Sequence, residues 1–317
     1  MIPNLNTGGA EKVASLLVNA WSSRGHELSV VTFSHSTAVP RYDLDSAVRL
    51  IQLDVDRSSS QNFISVNLKR VRRLRSTIFD ERIEILLSFL PEANLPSIIA
   101  ANLVGIPIII SERVHVGFHE IGPLRNFLRR IIYPFADSIV VQTEEIGEWI
   151  DRNWGAVCEV IPNPVQRFPK TIGTKDRKYN YTFEKNVVAV GRLVDQKGFD
   201  ILLTAFSRIR KKFPEWGLTI FGEGEKREAL KAQVKNLDLS HCVKMPGTIV
   251  GLTETLQEAD LFVHAARYEG FPNVLLDAML AGLPCVVTDS PGGAREILEN
   301  GRLGLLTQNE DVDALAE

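Results

Sequence analysis

The chain has 317 residues, of which 44% are hydrophobic and 24% are charged, and its formal net charge is -3. This length fits two domains of ordinary size better than one. The slightly acidic balance argues against a protein that coats nucleic acid, because phosphate binding needs a strong positive excess. The three cysteines are far apart and match no metal-ligand spacing, which favours a reducing compartment. No apolar run is long enough to span a bilayer.

Short apolar runs alternate with helical patterns along the whole chain. Most of the runs are continuous rather than alternating, which is typical of parallel strands that are covered on both faces. Between them lie helical patterns such as the apolar stripe from Val13 to Trp21. This repetition predicts an α/β fold of two doubly wound domains. The predicted strands are residues 27–33, 48–53, 83–89, 106–111, 137–142, 186–190, 218–222, 260–265 and 283–289.

A polar segment rich in Pro and Lys separates the two halves and predicts a linker. We therefore expect an N-terminal domain at 1–165, a linker at 166–185 and a C-terminal domain at 186–317. Almost no strand precedes the first glycine turn, and the chain stops at what resembles a helix start. We accordingly expect the chain to be trimmed at both ends.

Residues 6–13, NTGGAEKV, combine a glycine turn with the start of an amphipathic helix. Gly8 and Gly9 allow another group to approach the backbone closely. The helix start offers free N–H groups and a positive dipole end to an anion. The same residues would also suit a plain tight turn with Thr7 near the cap, so the glycines alone leave phosphate contact open.

The segment VAVGRLVDQKGF, residues 188–199, places Arg192 and Lys197 in the loop after a predicted strand. Ligands of doubly wound folds bind at the carboxyl ends of strands, and two cations there can hold a diphosphate. A solvated basic loop, in which Asp195 pairs with either cation, is the alternative.

The segment DLFVHAARYEGFPNVLLDAM, residues 260–279, is predicted to be strand, loop and helix. Pro272 suits a first helical position. Glu269 in the loop and Asp277 in the helix can accept hydrogen bonds from neighbouring sugar hydroxyls, because a carboxylate accepts at two oxygens. Taken singly, each acid could equally be an exposed loop residue or a favourable charge near a helix start.

Together these segments resemble the retaining glycosyltransferases of family 4, which have the glycosyltransferase-B (GT-B) fold. The resemblance rests on GGAEKV, VGRLVDQKG, GEG at 222–224, the acid pair Glu269 and Asp277, and PCVVTDSPGGAREIL at 284–298. It covers essentially the whole chain. It implies two Rossmann-like domains, of parallel doubly wound sheets, that face a cleft. It also implies that the N-terminal domain binds the acceptor and the C-terminal domain binds a nucleotide sugar.

The resemblance also implies roles for individual residues. Arg192 and Lys197 would grip the diphosphate and stabilise the leaving nucleotide, and Glu269 would contact the transferred sugar. Asp277 would bind the ribose, although the family usually has Glu there. Asp is shorter by about 1.5 Å, so this contact is expected to be weaker or bridged by water. The donor phosphates and the sugar pocket would be lined by Gly8, Gly9, Gly270, Phe271, Pro272 and Asn273.

A narrower resemblance rests on NTGGAEKV, LLSFLPEAN, IIISERVH and LRRIIYPFADS. These stretches are similar to those of bacterial enzymes that add N-acetylgalactosamine to lipid-linked N-glycan precursors. Related capsule and O-antigen transferases share them, so the sugar stays open. The resemblance implies a UDP-sugar donor and a lipid-linked saccharide acceptor. We expect the protein to be cytoplasmic and peripheral at the inner face of the plasma membrane.

His115 is a further catalytic candidate, because it follows a strand where family members often place a polar residue near the transferred sugar. The relatives nearest in pattern often have His two positions earlier, where this chain has Arg113. A lone His is more often structural, and Glu112 could equally serve the site.

No metal or other cofactor is needed by this scheme, since the departing diphosphate can take the acceptor proton. The chain does contain DLD at 43–45 and DVD at 54–56, which resemble the metal-binding pairs of the other major transferase fold. Both lie outside any glycine-rich site.

Two basic segments, 67–79 and 124–135, mix cations with large apolar residues. Either one alone would suit a solvated helix face. Two of them in one domain of an acidic protein predict contact with an anionic membrane surface or with the pyrophosphate of a lipid-linked acceptor. Their cations are Lys69, Arg70, Arg72, Arg73, Arg75, Arg125, Arg129 and Arg130.

Two alternative functions stay open at this point. A nucleotide-sugar epimerase of the same fold would bind the same donor. A non-catalytic fragment would bind the nucleotide sugar and transfer nothing. A nicotinamide-dependent dehydrogenase is disfavoured, because the dinucleotide fingerprint and its downstream acid are missing from the sequence.

Overall fold

The protein divides into two compact units, Met1–Pro164 and Val165–Glu317. The predicted linker at 166–185 lies mostly outside the described residues, so its structure stays a prediction. The computed structural model describes residues 1–6, 8–35, 37–55, 62–119, 121–165, 181–249 and 251–317.

The first unit is built from parallel strands and the helices that connect them. Strand β1 pairs with β2, and β3, β4, β5 and β6 pair in that order. The strands are β1 Ser29–Thr32, β2 Arg49–Gln52, β3 Leu86–Phe89, β4 Ile108–Ser111, β5 Ser138–Val141 and β6 Cys158–Val160. The helices are α1 Gly9–Ser22, α2 Phe63–Asp80, α3 Pro91–Val104, α4 Pro123–Ile132 and α5 Glu144–Trp154.

Residues 1–3 lie between β1 and β3 and join the two groups of strands. On one side the Ile2 N–H donates to the Val31 carbonyl at 3.1 Å, and on the other the Phe89 N–H donates to the Met1 carbonyl at 2.9 Å. Burial lowers the pKa of the Met1 amino group to about 5. The sequence predicts almost no strand here, because so short a run shows no periodicity. The backbone hydrogen bonds nevertheless place it where the first strand of a doubly wound sheet belongs.

The second unit contains one six-stranded parallel sheet in the order β12-β11-β10-β7-β8-β9. Its strand order reverses between β7 and β10, as in the dinucleotide-binding doubly wound fold. The strands are β7 Lys185–Val190, β8 Trp216–Phe221, β9 Val243–Gly247, β10 Leu261–His264, β11 Cys285–Thr288 and β12 Leu305–Thr307. The helices are α6 Phe199–Ile209, α7 Arg227–Asn236, α8 Leu252–Gln257, α9 Asn273–Leu280, α10 Ala294–Ile297 and α11 Val312–Ala316.

The central strand β7 shows why these apolar runs are continuous. Val187 and Ala189 pack into the core on one face of the sheet, and Val188 packs into the core on the other. All three are buried, and each fully buried Val side chain stabilises the fold by about 1.5 to 3 kcal/mol. Helices cover both faces, so no polar alternation is required.

All nine predicted strands form, but β6, β9 and β12 were not predicted. Each of these three lies at the edge of its sheet. An edge strand is covered on fewer sides, so its sequence need not be a continuous apolar run. Glu159 in β6 and Lys244 and Pro246 in β9 interrupt the pattern, and Leu305 in β12 is 66% exposed.

Two of the predicted surface cations are buried, so that part of the prediction is wrong. Arg70 is 7% exposed, with its guanidinium 4.1 Å from the centre of the Phe33 ring. Arg129 is fully buried and donates to Glu112 at 2.8 Å. A basic residue on the apolar stripe of a helix can turn inward when a carboxylate or a ring meets it. The cations that remain exposed are Lys69, Arg72, Arg73, Arg75 and Arg130.

In the part of the chain that the structure describes, no helix combines the length and hydropathy that crossing a bilayer requires.

Candidate active site

The candidate site lies at the carboxyl ends of β7 and β10, where the strand order of the second unit reverses. The two strands pair directly, with Leu261 opposite Val187. Ligands bind outside such a switch point in open α/β sheets. The loop after β7 carries Arg192 and Lys197, and the loop after β10 carries Glu269.

The loop after β7 is held against the loop after β8 by backbone hydrogen bonds. Gly191 donates to the Phe221 carbonyl at 3.0 Å, and Leu193 donates to the Glu223 carbonyl at 2.9 Å. A Cβ at Gly222 would overlap the Gly191 carbonyl oxygen. Glycine is therefore required at Gly222, which gives a physical reason for the GEG segment.

Lys197 and Glu269 form a direct ion pair at this site. Glu269 is 7% exposed, and His264 Nε2 lies 3.2 Å from the same carboxylate oxygen that Lys197 contacts. Burial acts to raise the pKa of Glu269, but Lys197 and His264 lower it more strongly, so that it falls to about 2. The carboxylate is therefore ionised at neutral pH and acts as an acceptor of hydrogen bonds.

The backbone of Glu269 is fixed by the loop after β11. The Glu269 N–H donates to the Pro291 carbonyl at 2.9 Å. Gly292 has a φ of 116°, and a Cβ there would overlap the Glu269 carbonyl oxygen. The segment PGG thus lets two strand-end loops pack closely enough to hold the acid in place.

The acid Asp195 pairs with neither of the predicted cations. Its Oδ1 lies 3.3 Å from Lys226 Nζ, and Lys197 is paired with Glu269 instead. Arg192 is exposed, and among the described residues it makes no ion pair. Its guanidinium can therefore meet an anion without first giving up a carboxylate.

The helix that follows Glu269 begins one residue later than expected. Pro272 caps α9 rather than occupying its first position, and Asn273 starts the helix. The Gly270 carbonyl accepts a hydrogen bond from the Gly293 N–H at 3.2 Å. Phe271 follows Gly270 in the chain and precedes Pro272. Asp277 lies on α9 and is 7% exposed.

The glycine turn of the first unit begins α1 as predicted. Gly8 is the cap residue and Gly9 the first residue of the helix. The Tyr42 hydroxyl donates to the Gly8 carbonyl at 3.0 Å. Thr7, which was expected near the cap, lies outside the described residues.

His115, also in the first unit, is buried and has nearby partners. Its Nδ1 accepts from the Gly117 N–H at 3.2 Å, and its Nε2 lies 3.5 Å from Glu145 Oε1. The ring is 1% exposed and meets Phe118 edge to face, with centroids 4.8 Å apart. These contacts fix the ring and leave a role in substrate contact as a prediction.

Glu112, the alternative to His115, is engaged in a buried network. Its carboxylate accepts from Arg129 at 2.8 Å and from the Tyr133 hydroxyl at 2.9 Å. Both Glu112 and Arg129 are fully buried. Burial acts to lower the pKa of Arg129, but Glu112 and Tyr133 raise it more strongly. This arrangement favours a structural role for Glu112.

The structure describes the DLD pair of the first unit in full and the DVD pair only in part. Asp54 lies 3.5 Å from His35, and Asp56 falls outside the described residues. Across the described ranges, no group of three or more His, Cys, Asp or Glu residues could hold a metal ion.

Comparisons with known proteins show which families the chain matches. Residues 8–164 match the family described as Glycosyl transferase 4-like domain, and residues 174–317 match the family described as Glycosyl transferases group 1. The two halves of the chain belong to these two glycosyltransferase families, and together they make the protein a glycosyltransferase. The transferase is 27% identical over 321 residues to the GalNAc-alpha-(1->4)-GalNAc-alpha-(1->3)-diNAcBac-PP-undecaprenol alpha-1,4-N-acetyl-D-galactosaminyltransferase of Campylobacter jejuni. That match covers 100% of the chain and 86% of the relative.

Solved structures show the same fold. Sucrose-phosphate synthase from Thermosynechococcus elongatus has a TM-score of 0.82 at 17% identity, over 99% of the transferase and 84% of that chain. Anabaena HepE in complex with UDP and glucose has a TM-score of 0.74 at 18% identity, over 99% of the transferase and 86% of HepE. The transferase therefore has the GT-B fold, and the predicted family and fold class are both confirmed.

Two residues of the site were missed in the sequence. His264 ends β10 and faces Glu269, and Arg267 lies in the loop that carries Glu269. The position of His264 at the carboxyl end of a central strand was the available signal. Nothing local in the sequence distinguishes Arg267 from a solvated loop residue, because its partners are distant in the chain.

Proposed function

We propose that the transferase moves a hexose or an N-acetylhexosamine, with retention, from a UDP-sugar to a lipid-linked saccharide. The observation that carries the proposal is the Lys197–Glu269 pair at the switch point, which puts a cation and an ionised acid side by side. The Campylobacter relative is named for N-acetylgalactosamine transfer and for an undecaprenol-diphosphate saccharide, and HepE was solved with UDP and glucose. These names support glycan or polysaccharide biosynthesis as the setting.

The residues of the second unit supply binding and charge stabilisation. Lys197 has three N–H donors, so it can bond a phosphate oxygen while it contacts Glu269. The Arg192 guanidinium can donate two parallel N–H groups to two oxygens of one phosphate. Glu269 accepts from hydroxyls of the transferred sugar, and Asp277 accepts from the ribose. The backbone of residues 270–273 lines the remaining pocket.

The reaction then requires little covalent chemistry from the protein. As the bond between the sugar carbon and the phosphate oxygen breaks, negative charge grows on the departing diphosphate, and Arg192 and Lys197 stabilise it. The acceptor hydroxyl attacks on the same face and gives its proton to the departing phosphate oxygen. Positioning of both substrates supplies much of the remaining rate. In the first unit, Gly8, Gly9 and His115 stay candidates for substrate contact.

We also propose that the first unit docks on an anionic membrane surface, which suits a lipid-linked acceptor. Around α4, large apolar side chains are exposed beside Arg130: Leu124 at 51%, Phe127 at 59% and Phe135 at 64%. Basic amphipathic surface binds anionic lipid. This would place the protein in the cytoplasm, at the inner face of the plasma membrane.

Flotation with anionic liposomes at low salt tests the docking proposal. Phe127→Ser is expected to reduce the bound fraction several-fold. Phe213→Ser is the matched control, because Phe213 is 47% exposed but lies in the second unit. Absence of wild-type binding at low salt would refute the proposal.

A panel of nucleotide sugars scored by thermal shift tests the donor, because a ligand of the native state raises the melting temperature. Stabilisation by UDP-sugars above all others is expected, followed by transfer to a lipid-linked saccharide with an α-linked product. Activity is expected to persist in chelator, and its loss would show that a metal takes part. Interconversion of the donor without acceptor would instead indicate an epimerase.

A further inference from the structure

Three strand-end loops of the second unit meet at one side chain, that of Arg267. They are the loop after β7 (residues 191–198), the loop after β10 (265–272) and the loop after β12 (308–311). Arg267 takes no part in the proposed function above.

Backbone and amide groups pair the first two loops residue by residue. The Arg267 N–H donates to the Gln196 carbonyl at 2.8 Å, and Gln196 Nε2 donates to the Tyr268 carbonyl at 2.9 Å. The next residues along, Lys197 and Glu269, form the ion pair of the candidate site. These hydrogen bonds therefore involve Gln196, which immediately precedes Lys197, and Arg267 and Tyr268, which precede Glu269.

The Arg267 guanidinium adds hydrogen bonds to the loop after β7 and to the first turn of α6. Nη1 donates to the Asp195 carbonyl at 2.6 Å, and Nη1 and Nη2 bond the two Asp200 carboxylate oxygens at 3.0 and 2.7 Å. Burial acts to raise the pKa of Asp200, but the hydrogen bonds and charge of Arg267 lower it below its usual range. Bidentate pairs of this kind add geometric specificity as well as energy.

The loop after β12 completes the arrangement. Arg267 Nε lies 2.7 Å from Glu310 Oε1, and Asn309 Nδ2 donates to the Arg267 carbonyl at 2.9 Å. Nε, Nη1 and Nη2 thus all have partners within the protein, so the guanidinium is committed to holding the loops rather than to a ligand.

We propose that Arg267 is a positioning residue of the donor site, which holds Lys197 and Glu269 at the spacing that a diphosphate and its sugar require. The inference rests on the proposed function for the ligand of those two side chains. A lysine at this position would keep the charge but could not form the fork to Asp200 while reaching Asp195 and Glu310.

Calorimetric titration of UDP and of UMP into the full chain tests the proposal with Arg267→Gln and Arg267→Lys. Because Lys197 is assigned to the diphosphate, UDP affinity is expected to fall about tenfold, or about 1.4 kcal/mol, while UMP affinity changes less than threefold. Arg267→Lys is expected to behave like Arg267→Gln. Arg302→Gln is the matched control, because Arg302 is exposed in the same unit and forms an ion pair with Glu299, three residues earlier. The UDP and UMP affinities of this variant should not change.

Amide hydrogen exchange supplies a readout that needs no nucleotide. In Arg267→Gln, exchange is expected to rise in 192–198 and 265–271 and to stay unchanged in β7 and β10. If the Gln variant fails to fold, Asp200→Asn tests the same fork and is expected to lower the UDP-to-UMP affinity ratio in the same direction.

Two results would overturn the inference: an unchanged ratio of UDP affinity to UMP affinity, which includes an equal loss of both with a lowered melting temperature, or full retention of UDP affinity in Arg267→Lys. Wild-type protein that binds no UDP would contradict the proposed function instead. Hydrogen exchange would then decide by itself whether Arg267 holds the two loops, and unchanged exchange would refute it.

Discussion

Lys197 and Glu269 are 72 residues apart in the chain and form an ion pair where two neighbouring strands end. His264 lies beside the same carboxylate oxygen. Glu269 therefore has the Lys197 ammonium on one side and the His264 imidazole on the other, and these two groups come from neighbouring strand ends.

The low pKa of Glu269 predicts how stability depends on pH. Its pKa falls from 4.5 to about 2 on folding, so its ionisation stabilises the protein above pH 4.5 and this contribution is lost as pH falls toward 2. The contribution is on the order of 3 kcal/mol. Glu269→Gln is therefore expected to flatten the pH dependence of the unfolding free energy between pH 5 and about 2, measured by urea unfolding. Glu225→Gln, at an exposed position, should leave that slope unchanged.

The two loop cations are expected to contribute to UDP affinity through direct contact. Lys197→Met and Arg192→Met should each weaken UDP binding at least tenfold, on the order of 1.4 kcal/mol per charged contact. Lys226→Met is the matched control, because Lys226 is a nearby cation paired with Asp195. Equal losses of affinity in all three variants would show that the overall positive charge, rather than direct contact by Arg192 and Lys197, attracts the nucleotide.

Gly292 is expected to be intolerant of a side chain. Gly292→Ala combines the strain of a positive φ with overlap of the Glu269 carbonyl, so it should lower the unfolding free energy by about 2 to 4 kcal/mol. Gly282→Ala is the control, because Gly282 has a φ of 81° but open space around its Cβ direction. It should cost only about 1 to 2 kcal/mol. Similar losses in both, with UDP affinity intact, would contradict the proposed close packing.

Much of the fold could be predicted from the sequence, because central strands buried on both faces must be continuously apolar. The edge strands β6, β9 and β12 and the segment at residues 1–3 could not, since they carry short or interrupted patterns. Arg70 and Arg129 show a related limit. Helical spacing indicates which residues share a face, but the ring or carboxylate that draws a cation inward comes from another element.

The candidate site could also be predicted only in part. Lys197 and Glu269 could be selected because each follows a central strand and sits in a recognisable motif. Their direct contact, and the neighbouring His264, depend on the pairing of β7 with β10 and are visible only in three dimensions. Arg267 could not be selected from the sequence, because its partners come from two other loops and from the start of α6.

His115 is expected to affect turnover. His115→Ala should lower kcat at least tenfold, since proton transfer by a positioned imidazole typically contributes about 10²- to 10⁴-fold. His241→Ala, at an exposed position of the second unit, is the control. Because His115 is buried against Phe118, the melting temperature must be measured alongside. A destabilised variant with near wild-type kcat would assign His115 a structural role only.

Asp277 is expected to bind the ribose, and UDP analogues that lack one ribose hydroxyl test this directly. In wild-type protein, 2′-deoxy-UDP or 3′-deoxy-UDP should bind several-fold more weakly than UDP, because a buried carboxylate would lose a partner. In Asp277→Ala, the deoxy compound and UDP should bind equally, since the carboxylate that distinguished them is gone. Asp277→Glu restores the residue usual in the family and should widen the difference. If the deoxy penalty is the same in wild type and in Asp277→Ala, Asp277 does not contact the ribose, and Glu269, the other acid of the motif, becomes the candidate to test by the same cycle.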